Sequence, residues 1–191
     1  LKISIVIPAF NEEKLIGRCL DAVGTAAGAI RDRGWGLEVI VCDNNSSDRT
    51  GEIAASLGAT VVREPVNQIA RARNSGAAVA SGDWLLFLDA DSFPSRELLQ
   101  DMAEAIDSGK YIGGGSYVEY DQYEGRVRFW IGVWNRFSRA TGMAAGAFLF
   151  CQRSAFVELG GFNQELYVSE ELDLSRRLKR FGRTKGRSMA I

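Results

Sequence analysis

Two aspartates one residue apart, Asp89-Ala90-Asp91, follow the apolar run Trp84-Leu85-Leu86-Phe87-Leu88. At strand spacing, residues two apart point to the same side. Two carboxylates so placed repel each other unless a cation or protons lie between them. A divalent ion shared with a diphosphate meets that need, because Mg²⁺ commonly combines one or two carboxylates with substrate phosphates. The competing reading is a turn in which Asp91 and Ser92 cap the following helix. Asp43-Asn44 follows another apolar run. It reads as an Asx-turn with a helix cap, or as a carboxylate that accepts hydrogen bonds from a nucleobase N–H and from sugar hydroxyls. Arg71 and Arg73 stand in an alanine-rich segment, either on a solvated helix face or as a clamp for a phosphate or a sugar carboxylate. Ser169-Glu170-Glu171-Leu172-Asp173 concentrates acids where they suit a helix dipole. One of them could also take the proton from a hydroxyl nucleophile.

Composition narrows the chemistry further. The 191 residues contain no histidine. Ser-His-Asp and Cys-His mechanisms are therefore excluded, as are His-ligated metals. Carboxylates become the carriers of acid–base chemistry, and a metal held by side chains should be a hard one bound through oxygen. Lys and Arg total 23 against 24 Asp and Glu, a net charge of −1, which gives no basic field for a nucleic acid. Hydrophobic residues at 46% and charged residues at 25% are those of a globular domain. Cys19, Cys42 and Cys151 form no CxxC pair, and Cys42 lies in an apolar run. A reducing, cytoplasmic setting fits them. The chain begins with Leu1 and has no visible signal peptide, so a trimmed sequence is expected.

No segment qualifies as a membrane span. The nearest, Phe129 to Phe150, is broken by Asn135, Arg136 and Arg139. Its Phe129, Trp130, Trp134 and Phe137 read as a helix packing on its own domain, with a surface for lipid or an apolar acceptor as the alternative. The second reading would put the protein at the inner face of the membrane, as a peripheral contact.

These groups need a scaffold. Ile3–Ile7, Leu37–Cys42, Thr60–Arg63 and Trp84–Leu88 read as strands. They alternate with helical patterns from Glu12 (Asn11 as its cap), from Asp48 to Leu57, from Asn67 to Ser81, and from Ser95 to Asp107. That alternation predicts an α/β fold with a mostly parallel central sheet flanked by helices. Ligands bind beyond the carboxyl ends of such strands, which directs attention to Pro8–Glu12, Asp43–Asp48 and Asp89–Asp91. In the second half, Gly113-Gly114-Gly115 reads as a loop-like seam before a strand at Ser116–Tyr120. A helix over Tyr123–Arg139, a strand at Ala147–Cys151, a helix through Leu159 and a helix over Glu170–Phe181 follow.

Taken in order, the motifs resemble the family 2 glycosyltransferases. Ile5-Val6-Ile7-Pro8-Ala9-Phe10-Asn11-Glu12 is similar to the family's opening, and Val41-Cys42-Asp43-Asn44-Asn45-Ser46-Ser47-Asp48-Arg49-Thr50 to its second signature. Ala70–Gly76, Gly82-Asp83 and Phe87–Asp91 resemble the next two. Gly160-Gly161-Phe162 and Ser169–Leu174 look like the acceptor-side pair.

The resemblance implies a GT-A fold and a single domain over residues 1–191. Its nucleotide-binding half would be 1–110 and its acceptor-binding half 111–191. It implies hexosyl transfer from a UDP- or GDP-sugar, with Mg²⁺ or Mn²⁺ and inversion at the anomeric carbon. The acceptor would be a carbohydrate, lipid-linked or small-molecule hydroxyl. Carried over by residue, Pro8, Phe10 and Glu12 line the nucleotide, with Ala9, Ala90, Arg71 and Arg73 in the same donor-side set. Asp43 reads the base, Asp89 contacts the ribose or diphosphate, and Asp91, with Asp89, ligates the metal. The catalytic base falls on Glu171, with Glu170 and Asp173 as rivals. Three departures stand out. Glu171 replaces an aspartate, Asn44 stands where many members have a second aspartate, and the chain ends soon after Gly182, which suggests a trimmed or disordered tail or a gap near Thr184–Gly186. A retaining GT-A enzyme, a nucleotidyltransferase and a degenerate nucleotide-binding domain remain as competing readings. The phosphate loop of a nucleotidyltransferase would be glycine-rich after the first strand, and Pro8-Ala9-Phe10-Asn11 is not.

Overall fold

The computed structural model describes residues 1–116 and 147–191. Among these, seven strands form one sheet in the order β3-β2-β1-β4-β6-β5-β7. They are β1 (Lys2–Ala9), β2 (Gly36–Asp43), β3 (Thr60–Arg63), β4 (Trp84–Leu88), β5 (Tyr111–Gly115), β6 (Phe148–Gln152) and β7 (Ser188–Ala190). The first four pair in parallel, while β6 runs antiparallel to both β4 and β5. The helices are α1 (Ile16–Ala26), α2 (Gly28–Arg31), α3 (Thr50–Ser56), α4 (Ile69–Val79), α5 (Arg96–Asp107), α6 (Arg153–Glu158) and α7 (Glu170–Thr184).

Strand alternation divides the core between the two faces of the sheet. Ile3, Ile5 and Ile7 of β1 and Trp84, Leu86 and Leu88 of β4 pack with α1 and α5. Val6, Leu85 and Phe87 point the other way, onto α4 and α7. Burying each such side chain contributes roughly 1.5–3 kcal/mol. The alanines and Gly76 of α4 let it lie close to the sheet, since a Cβ on Gly76 would come within 2.5 Å of Val6 Cγ1.

Several boundaries differ from the sequence expectation. The first helix starts at Ile16, not Glu12. Asn11 adopts a left-handed φ of 56° and its side-chain oxygen accepts from Ser47 N, so it is not free to cap a helix. The N–H groups of Glu12 and Glu13 donate instead to Thr50 Oγ1 and Asp48 Oδ2. The triple glycine is not a seam but most of β5. A Cβ on Gly113 would lie 2.6 Å from Phe150 O, so only glycine fits against β6 there. Near Thr184–Gly186 the chain is continuous. It turns through Arg187 N donating to Gly182 O and enters β7, a strand the sequence reading did not foresee. The expected strand residues from 117 on, the helix at Tyr123–Arg139 and its aromatic face lie outside the described residues. Among the described residues no helix is long and apolar enough to cross a membrane.

Candidate active site

The register sets Ala9 beside Asp43, so β1 and β2 end side by side, with β4 on the other flank of β1. Beyond these ends lies a cavity of about 340 Å³ lined by Pro8–Phe10, Glu12, Asn44, Ile69 and Asp89–Asp91. The loops after β1 and β2 are laced together. Asn11 N donates to Ser46 Oγ at 3.0 Å, and Ser47 N donates back to Asn11 Oδ1 at 2.8 Å. Asp43 is half-buried, and its Oδ1 accepts from Ser46 N at 2.9 Å.

Asn44 is spent on the scaffold. Its amide nitrogen donates to Glu64 O and Val66 O, and its Oδ1 accepts from Gln68 N. Both halves of the amide are used, which an aspartate could not reproduce. Asn44 therefore supports the loop that follows β2.

On β4's exit, the chain does turn at Asp89–Ser92, closed by Ser92 N donating to Asp89 O at 3.0 Å, but Asp91 and Ser92 do not cap the next helix. The helix α5 is capped by Ser95, whose Oγ accepts from Leu98 N. Asp91 is exposed and makes no hydrogen bond or ion pair among the described residues. Asp89 Oδ1 pairs with Arg73 Nη2 at 2.9 Å. Burial raises the Asp89 pKa. The Arg73 charge counters that, while Asp91 and Glu171 add to it. Burial and the neighbouring Asp91 and Asp48 likewise raise Glu12. Cys19 Sγ sits 3.8 Å from Asp89 O, and burial pushes this thiol up to about 12.

Arg73 departs most from expectation. Its side chain is 2% exposed, and it does not face solvent ready for a phosphate. Nη1 lies 2.7 Å from Glu170 Oε1 and 3.0 Å from Glu171 Oε1, while Nη2 holds Asp89. Burial works to lower the guanidinium pKa, but the three carboxylates outweigh it and hold it above its ordinary value. Arg71 is half-buried and forms no ion pair among the described residues.

The three acidic rivals separate by environment. Glu170 is 3% exposed, and burial together with Glu171 raises its pKa against the pull of Arg73. Asp173, 34% exposed, is tied to Arg177 Nε at 2.8 Å, one helical turn along. Glu171, at 18%, reaches both Arg73 and solvent. Asn74 was not singled out from the sequence, yet it clamps Phe162 in both directions, with Nδ2 on Phe162 O and Oδ1 on Phe162 N. A signal for Arg73 was present: Ala70, Arg73 and Ala77 recur at helical spacing on the buried face of α4.

A hard divalent ion fits the donors here. Asp91 offers a carboxylate that is unpaired among the described residues, and like charge from Glu12 and Asp48 gathers near it. Among the described residues no cluster of three or more His, Cys, Asp or Glu forms a cage. A cation completed by substrate phosphates needs none.

The family model for glycosyl transferase family 2 matches residues 4–156. The chain belongs to glycosyl transferase family 2. The dolichol-phosphate mannosyltransferase of Pyrococcus furiosus is 31% identical over 68% of this chain and 36% of its own length. The probable glycosyltransferase YdaM of Bacillus subtilis is 30% identical over 95% of this chain and 47% of its own. This family 2 chain thus spans less than half the length of those relatives. The mannosyltransferase PcManGT of Pyrobaculum calidifontis, solved with GDP-Man and Mn²⁺, superposes with a TM-score of 0.76 at 24% identity, over 99% of this chain and 54% of that one. S. aureus TarS gives 0.72 at 19% identity, over 93% of this chain and 33% of that one. The fold of this family 2 chain is GT-A.

Proposed function

We propose that this chain transfers a hexosyl group from a nucleoside-diphosphate sugar to an acceptor hydroxyl, with inversion at the anomeric carbon. One observation carries the reading: the guanidinium of Arg73 touches Asp89 on the donor side and Glu170 and Glu171 on the acceptor side, so acids far apart in sequence converge at one sheet end. Pro8, Ala9, Phe10, Glu12 and Ala90 line the donor cavity, and Asp43 accepts from the base, with UDP the first donor to test and GDP the second. Asp91 and Asp89 would hold Mg²⁺ or Mn²⁺, which when bound neutralises charge on the departing diphosphate. Glu171 takes the acceptor hydroxyl's proton as that oxygen bonds to the anomeric carbon. The bond from that carbon to the diphosphate oxygen breaks, and its electron pair leaves with the nucleoside diphosphate. Glu171 is preferred because Glu170 is enclosed and Asp173 is engaged by Arg177.

The test uses the full-length protein with UDP-, GDP- and dTDP-sugars, with and without Mn²⁺. A donor that binds the folded state raises its melting temperature. Glu171→Gln should keep that thermal shift and lose transfer or donor hydrolysis by about 10²–10⁴-fold. Asp91→Ala should lose the Mn²⁺-dependent part of the shift. Undiminished turnover in Glu171→Gln moves the base elsewhere, and a product that retains the donor's anomeric configuration by NMR removes the inverting mechanism.

A further inference from the structure

We propose that Arg73 is a positioning residue that sets the separation between the donor-side carboxylate Asp89 and the acceptor-side carboxylate Glu171. The inference rests on the assignment of Glu171 as base and adds the device that holds it in place. Arg73 is buried mid-helix, and its two terminal nitrogens reach different elements, Nη2 to Asp89 after β4 and Nη1 to both glutamates at the start of α7. A planar guanidinium fixes the angle between those contacts, which a lysine ammonium cannot do.

Three further observations favour positioning over simple charge neutralisation. First, Arg73 Nε has no hydrogen-bond partner among the described residues, and the two terminal nitrogens carry all three carboxylate contacts. Second, the platform is tightly packed. Gly76 of α4 sits against Val6, and Asn74, the next residue after Arg73, holds Phe162 on the chain that leads to α7. Third, α7 begins without a side-chain cap, after Ser169 at a left-handed φ of 66°. Glu170 and Glu171 therefore open a helix that has no side-chain cap, and Arg73 ties that start to the exit of β4.

The experiment uses the full-length protein and Arg73→Lys, which keeps the charge but not the fork. Melting temperature, UDP and GDP binding by calorimetry, and kcat and KM for hydrolysis of UDP-GlcNAc and GDP-mannose are measured. Nucleotide affinity and KM should stay within about threefold, while kcat falls by about tenfold or more, since a displacement near 1 Å can cost about 10²-fold. If Arg73→Lys does not fold, the double variant Arg73→Gln/Glu170→Gln, which removes the most buried carboxylate together with its counter-charge, is read in the same way. Unchanged kcat with a lowered melting temperature reduces Arg73 to a structural role. Nucleotide affinity falling in step with kcat makes it a donor-binding residue. Either result overturns the proposal. A cycle with Glu171→Gln separates the two readings. Positioning through Glu171 requires the double variant to be no slower than Glu171→Gln alone, whereas multiplied losses refute it. Full activity in Glu171→Gln defeats the base assignment itself, whatever Arg73→Lys does.

Discussion

Asn44→Asp changes one nitrogen to oxygen and should be costly. Asn44 is buried, with Nδ2 donating to Glu64 O at 3.2 Å and Val66 O at 2.6 Å while Oδ1 accepts from Gln68 N at 3.0 Å. A carboxylate keeps the last bond and strengthens it, a gain of about 1 kcal/mol. It loses both donations and turns a negative oxygen toward two carbonyls, each orphaned at about 1–3 kcal/mol. The net loss is about 3 kcal/mol, a large part of a typical folding free energy. For a chain of this size that lowers the melting temperature by roughly 6–12 °C. The new carboxyl gains from being protonated in the fold, because it then donates to one carbonyl. Its acid form is favoured, so the deficit should be smaller at low pH and grow as pH rises. Thermal melts at pH 5 and pH 8 measure both effects. A variant melting within about 1 °C of the parent at pH 8 refutes the reasoning, since the lost donations would then contribute nothing.

Other consequences follow from burial and charge. Burial opposes ionisation of Glu38, but bonds from Lys2, Ser4 and Ser81 prevail and lower its pKa to about 2. Its contribution to stability is therefore complete above the unfolded value near 4.5 and drains away as pH falls toward about 2. Glu38→Gln should flatten that acid limb of the stability curve, and an unchanged limb contradicts the assignment. Cys19 and Cys42 are buried, with thiols pushed up to about 12, and Cys151 is raised by burial too. Native protein at pH 8 should leave all three unreacted toward a disulfide reagent and titrate them only after denaturation. Fast labelling of the native protein would show that this core opens.

The parallel half of the sheet was legible because strands such as Ile3–Ile7 and Trp84–Leu88 are continuous apolar runs between helical periods, a local pattern. Most of the residues that line the cavity were legible for a related reason: Pro8–Phe10, Glu12 and Asp89–Asp91 sit where such strands end. Boundaries set by partners distant in sequence were not. Asn11 fails as a cap because Ser47 takes its oxygen, and Gly113 belongs to a strand because Phe150 O lies against it. No periodicity in either segment encodes those contacts.

The amino-acid sequence alone determined the absence of histidine, the alternating elements and the order of the motifs. All of these are properties of composition and short windows. Tertiary structure decided what each charged side chain does. Arg71 and Arg73 look equivalent as letters. Packing of α4 on the sheet buries one and leaves the other half-exposed, and a buried guanidinium must find carboxylates. It finds them 16 and 97 residues away, at Asp89 and Glu170. Desolvation makes that pairing obligatory, and desolvation exists only once the chain has folded.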